Sequence, residues 1–102
     1  MTREEEIEIL QTAIDVYAPD NQTIKAVEEM AELTKAIIKL HFAKPSGVER
    51  DILKDAVAEE MADVEIMLEQ LHMIFDNDRK VSEYREKKLE RLKRRIEGRW
   101  QG

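Results

Sequence analysis

The sequence predicts an all-α protein with a four-helix bundle-like fold, and three observations predict it. Charged residues make up 39% of the chain and aromatics only 5%, a mixture rich in Glu, Lys, Arg, Leu, Ile and Ala that favours helix over strand. Apolar residues recur at three- and four-residue spacing in four stretches. Pro19, the run Lys44-Pro45-Ser46-Gly47 and the run Asp76-Asn77-Asp78 separate those stretches with residues that end helices or turn the chain. At 102 residues there is material for one modest core, so a single domain over 1–102 is expected.

The first helix is expected over about 2–17, where Ile7, Leu10, Ile14 and Tyr17 repeat at helical spacing and Pro19 closes it. Asp20 or Asn21 is a suitable cap for the second, over about 22–43. Its apolar residues Ile24, Val27, Met30, Ala31, Leu33, Ile37, Ile38 and Leu40 span an arc wide enough for two neighbours. The third helix is expected over about 51–75, with an irregular first turn or a short separate helix before it. The fourth, over about 79–99, is dense with Lys and Arg. Short loops between them suit an antiparallel bundle.

Composition also excludes functions. A net charge of −6 and a pI near 5.0 argue against a nucleic-acid partner, whose backbone demands a positive face. With no Cys there is no disulfide framework, thiolate zinc site or Cys nucleophile, which fits a reducing compartment. No apolar run reaches the roughly 18 residues of a membrane span, and the first residues are acidic rather than a basic signal region. A cytoplasmic location is the expectation. Gly-rich phosphate loops, Ser/His/Asp sets and nucleophile elbows are not found in the sequence.

The chemistry shows on a helical wheel. In the third helix Leu53, Ala56, Val57, Val64, Met67, Leu68, Leu71, Ile74 and Phe75 fall within an arc of about 140°, with Glu60 near its middle and Asp63 at one edge. A carboxylate on an apolar face costs free energy unless a counter-charge or metal compensates. The second helix adds more acid, with Glu29 at the edge of its apolar arc, Glu32 one turn on and Glu28 beside it. Glu29/Glu32 and Glu60/Asp63 are i, i+3 pairs, each able to reach one ion. Oxygen ligands without His or Cys select Mg2+, with Mn2+ as a substitute, and Mg2+ in turn suggests a phosphate substrate. The plainer reading, that E-x-x-E in a Glu-rich helix is solvated surface, applies more to Glu28, Glu29 and Glu32 than to Glu60.

In the fourth helix Lys88 projects between Val81, Tyr84 and Leu92, with Arg91 flanking the same stripe. Both side-chain types suit a polyphosphate, and the plainer reading is a basic last helix whose Lys and Arg pair with acids of the bundle and favour its C-terminal dipole. Glu69-x-x-His72 matches half of a di-iron bundle motif. No second copy exists, and its face points away from Glu60, so it reads as an isolated polar pair.

The stretch Glu28-Glu29-Met30-Ala31-Glu32, with Glu60-Met61-Ala62-Asp63 further on, resembles the E-E-x-x-E…E-x-x-D signature of MazG-like all-α nucleoside triphosphate pyrophosphohydrolases. The resemblance spans roughly Ile24 to Ile96. It implies hydrolysis between the α and β phosphates of a nucleoside or deoxynucleoside triphosphate, with Mg2+ held by Glu29, Glu32, Glu60 and Asp63. It further implies Glu28 as the motif's leading acid, basic residues near the phosphates such as Lys88 and Arg91, and a homodimer or homotetramer. Glu29 or Glu32 is the expected general base. A phosphoribosyl-ATP or pyrimidine-specific deoxynucleotide pyrophosphatase would share these acids. A non-catalytic helical interaction protein is the alternative of another class, and it would tolerate an apolar residue at Glu60.

Overall fold

A computed structural model describes residues 1–101. Its four helices are α1 (Arg3–Tyr17), α2 (Pro19–His41), α3 (Val48–Phe75) and α4 (Asp78–Gln101), with no strand among the described residues. The all-α, four-helix bundle-like class holds. The boundaries move for local reasons. Thr2 lies outside α1 as its cap, its Oγ1 accepting from the Glu5 N–H at 3.1 Å, and Glu4, Glu5 and Glu6 follow in the first turn where acid meets the positive end of the helix dipole.

Pro19 opens α2 instead of merely closing α1. It occupies the first helical turn, where its missing N–H is no loss and its fixed φ is already helical. The corner itself is Ala18, at φ 80°, so neither Asp20 nor Asn21 is the cap. Asn21 donates through Nδ2 to the Tyr17 carbonyl at 2.8 Å, tying the two helices across that corner. α2 stops at His41, short of 43. α3 starts at Val48 and runs unbroken, without the irregular first turn expected before 51, because Gly47 makes the turn at φ 111°, a conformation glycine adopts freely. Asp76 ends α3 in the left-handed region, at φ 47°.

Packing is concentrated between α2 and α3, which run antiparallel, and α1 lies against both. Leu10 and Ile14 from α1, Ala26 from α2 and Met67 from α3 form the buried core. Ala26, fully buried, has no side chain beyond Cβ to hold the two helices apart. Gln22 and Gln70 are also buried, and Gln22 Nε2 donates to Gln70 Oε1 at 2.7 Å. This bond answers polar groups that would otherwise be unpaired and fixes the register of α2 on α3. Arg3 Nη1 meets Glu69 Oε1 at 2.7 Å and holds the start of α1 on α3.

α4 departs from this body. It does not pack lengthwise against α1, α2 or α3, and residues 78–99 are exposed throughout. The radius of gyration is 17.7 Å, against about 13 Å for a compact chain of 100 residues. At the joint, His72 Nδ1 and Asp78 Oδ1 lie 2.7 Å apart.

Candidate metal centre

The antiparallel pairing of α2 and α3 that buries Ala26 and Met67 also sets what lies one turn beyond them. Glu29 follows Ala26 by three residues on α2, and Asp63 precedes Met67 by four on α3, with Glu60 one turn earlier. One carboxylate oxygen from each of Glu29, Glu60 and Asp63 lies within 4.8 Å of the others. The acids thus converge where the apolar core ends.

Burial distinguishes Glu29 and Glu60 from ordinary surface acid. The Glu29 side chain is only 16% exposed, and Glu60 Oε2 is buried with no hydrogen-bond partner. Loss of hydration raises the pKa of the Glu60 carboxyl above its ordinary value, and the nearby charges of Asp63, Glu29, Glu32 and Glu59 raise it further. Unpartnered buried carboxylate oxygen facing two further carboxylates suits a hard cation. Three converging oxygens also match the way Mg2+ takes one or two carboxylates from the protein and keeps several ligand positions for water and phosphate.

One cation at this centre was not singled out by the sequence reading. Lys25 Nζ lies 3.1 Å from Glu29 Oε1 and 4.0 Å from Glu28 Oε2. Its pKa is raised, chiefly by the hydrogen bond and charge of Glu29. The i, i+4 spacing of Lys25 and Glu29 was the available signal.

The other candidates are placed differently. Glu32 is outside the group of three; it is exposed and lies 3.9 Å from Lys35 Nζ. Glu28 is exposed too. Lys88 and Arg91 line a shallow surface built from α4 residues alone, so one copy of the chain does not bring them to the acids. Glu69 and His72 make separate polar pairs, with Arg3 and Asp78, and with Ile7, Leu10 and Met73 they line a cleft of their own. That agrees with the isolated-pair reading.

No helix among the described residues is long and apolar enough to cross a membrane. Comparison with protein-family models, with curated proteins and with solved structures finds no match for this chain.

Proposed function

We propose that this chain is a Mg2+-dependent pyrophosphohydrolase of nucleoside or deoxynucleoside triphosphates, cutting between the α and β phosphates to release monophosphate and pyrophosphate. The observation that carries the reading is the unpartnered, buried Glu60 oxygen facing Glu29 and Asp63. Their arrangement is costly without a cation and of the composition that Mg2+ prefers, and the resemblance of the same residues to the MazG-like signature supplies the reaction.

In this reading Glu29, Glu60 and Asp63 hold the ion. Bound there, Mg2+ would supply charge neutralisation for the leaving pyrophosphate. Glu32, one turn from Glu29 and outside the group of three, is free of the ligand role and is the residue to accept a proton from the attacking water. Lys88 and Arg91 would contact phosphate oxygens. The chain works as a homo-oligomer in the cytoplasm, in keeping with its exposed apolar residues and its lack of Cys.

The test is pyrophosphate release from a panel of ribo- and deoxynucleoside triphosphates and phosphoribosyl-ATP, with Mg2+ or with EDTA, for wild type and Glu60→Gln. Metal-dependent release that the variant lacks is the expected result, and the panel names the nucleotide. No turnover, together with no Mg2+-induced rise in Tm, would overturn the reading in favour of an interaction protein.

A further inference from the structure

The acidic centre lacks the positive charge that a polyphosphate needs. Ionised Glu29, Glu60 and Asp63 outweigh one Mg2+ by a single negative charge, and Glu32 and Glu59 add their fields at Glu60. A polyphosphate brings several more negative charges to the same place, so its binding calls for a further cation there. Lys88 and Arg91 stand on α4, and one copy of the chain does not bring them to the acids.

Lys25 is already at the centre. It lies one turn before Glu29 on α2, on the same side of the helix, with Nζ 3.1 Å from Glu29 Oε1 and 4.0 Å from Glu28 Oε2. The charge of Asp63, on the facing helix, acts on the same ammonium. Among the described residues it is the Lys or Arg that makes an ion pair with one of the three converging acids; Lys35, on the far side of the motif, lies 3.9 Å from Glu32 instead. The two ends of the Lys25–Glu29 pair differ in freedom. Glu29 is 16% exposed and held where α2 packs on α3, whereas Lys25 is 52% exposed and carries its ammonium on a flexible four-carbon stem.

Glu29 cannot serve a divalent cation and an ammonium together without setting two positive charges side by side. On the reading of the three acids as a phosphate-handling metal site, we propose that Lys25 is a phosphate-binding residue of this centre, neutralising Glu29 in the metal-free chain and exchanging that carboxylate for a polyphosphate oxygen when metal and substrate bind. The exchange requires rotation of the Lys25 side chain and no movement of α2. It gives Lys25 two effects of opposite sign, opposing the metal taken alone and favouring the metal with its phosphate ligand. A lysine that merely covers Glu29 would have only the first effect, and a lysine that props Glu29 in position would aid both.

Calorimetric titration of the full chain with MgCl2, and then with inorganic pyrophosphate at saturating Mg2+, separates these roles without any turnover. Lys25→Met should bind Mg2+ alone more tightly and pyrophosphate at least about tenfold more weakly, the loss of one charge-assisted hydrogen bond. Lys25→Arg keeps the charge and can fork onto phosphate, and it should recover most of the pyrophosphate affinity. Both variants should keep the wild-type Tm within about a degree, as for an exposed ion pair. Equal pyrophosphate affinity in wild type and Lys25→Met would overturn the proposal, as would a joint loss of Mg2+ and pyrophosphate affinity, the mark of a propping role. Either failure leaves the metal centre standing, because wild type still binds Mg2+. A wild type that binds neither Mg2+ nor pyrophosphate would sink the metal centre and the Lys25 exchange together. Shifts of opposite sign in a protein that hydrolyses no nucleotide would leave Lys25 assigned and sink the catalytic reading alone.

Discussion

Glu60 is the residue at which structure and chemistry meet most sharply. Its carboxyl pKa lies above the ordinary range because the group is stripped of water and faces other acids. The folded state therefore holds that proton more tightly than the unfolded chain does, so the stability linked to Glu60 is fully present below the unfolded pKa and declines as pH rises through the folded one. Denaturant titrations of the metal-free protein from pH 4 to 7 should show this decline, and Glu60→Gln should flatten it and raise Tm by a few degrees at pH 7. Mg2+ competes with the same proton, so its affinity should fall as pH drops toward the folded pKa. Lys25 acts in the opposite sense. Lys25→Met removes a positive charge beside Glu29, and calorimetric titration should show tighter Mg2+ binding with Tm moved by no more than about a degree, as for an exposed ion pair.

At the scale of the helix, the Gln22–Gln70 bond sets how α2 lies on α3. Gln70→Leu leaves the buried Gln22 amide unanswered and should cost about 1–3 kcal/mol in chemical denaturation, while the double change Gln22→Leu with Gln70→Leu should cost less than Gln70→Leu alone. Helix existence was legible in the sequence because apolar periodicity and breakers agreed over long stretches. The starts of α2 and α3 were not, since Pro19 serves equally to end one helix and begin the next, and Gly47 lets α3 start at once after the turn. The acidic group was legible to the extent that a wheel shows direction: Glu60 stood out against an apolar arc, and Asp63 and Glu29 lay at arc edges. Lys25 was missed although its i, i+4 spacing to Glu29 on the same helix was there to read, because a search for charges on the apolar arc passes over a cation that lies off that arc.

Over the whole molecule, the buried core is small, four apolar residues with two glutamines among the described residues, while large apolar side chains on every helix stay exposed. A lone chain of this kind keeps much of its hydrophobic potential unused. Tm should consequently rise with protein concentration, as expected when a folded copy is stabilised by binding another, and a Tm constant over a hundredfold dilution would argue against association. The four-helix class was legible from sequence, but the displacement of α4 was not: its stripe is as apolar as one facing its own chain would be, and sequence pattern alone does not say in which copy the covering face lies.

The exposed α4 also governs the survival of a single chain. A solitary helix in water opens locally and often, since little but its own hydrogen bonds holds it, and each opening presents Lys and Arg bonds to a trypsin-like protease. Digestion of dilute protein should clip α4 first and leave an intact fragment of residues 1–77, and at higher concentration the same bonds should resist. Turnover of the polypeptide would then be coupled to its abundance, with surplus unmatched chains removed and matched ones spared.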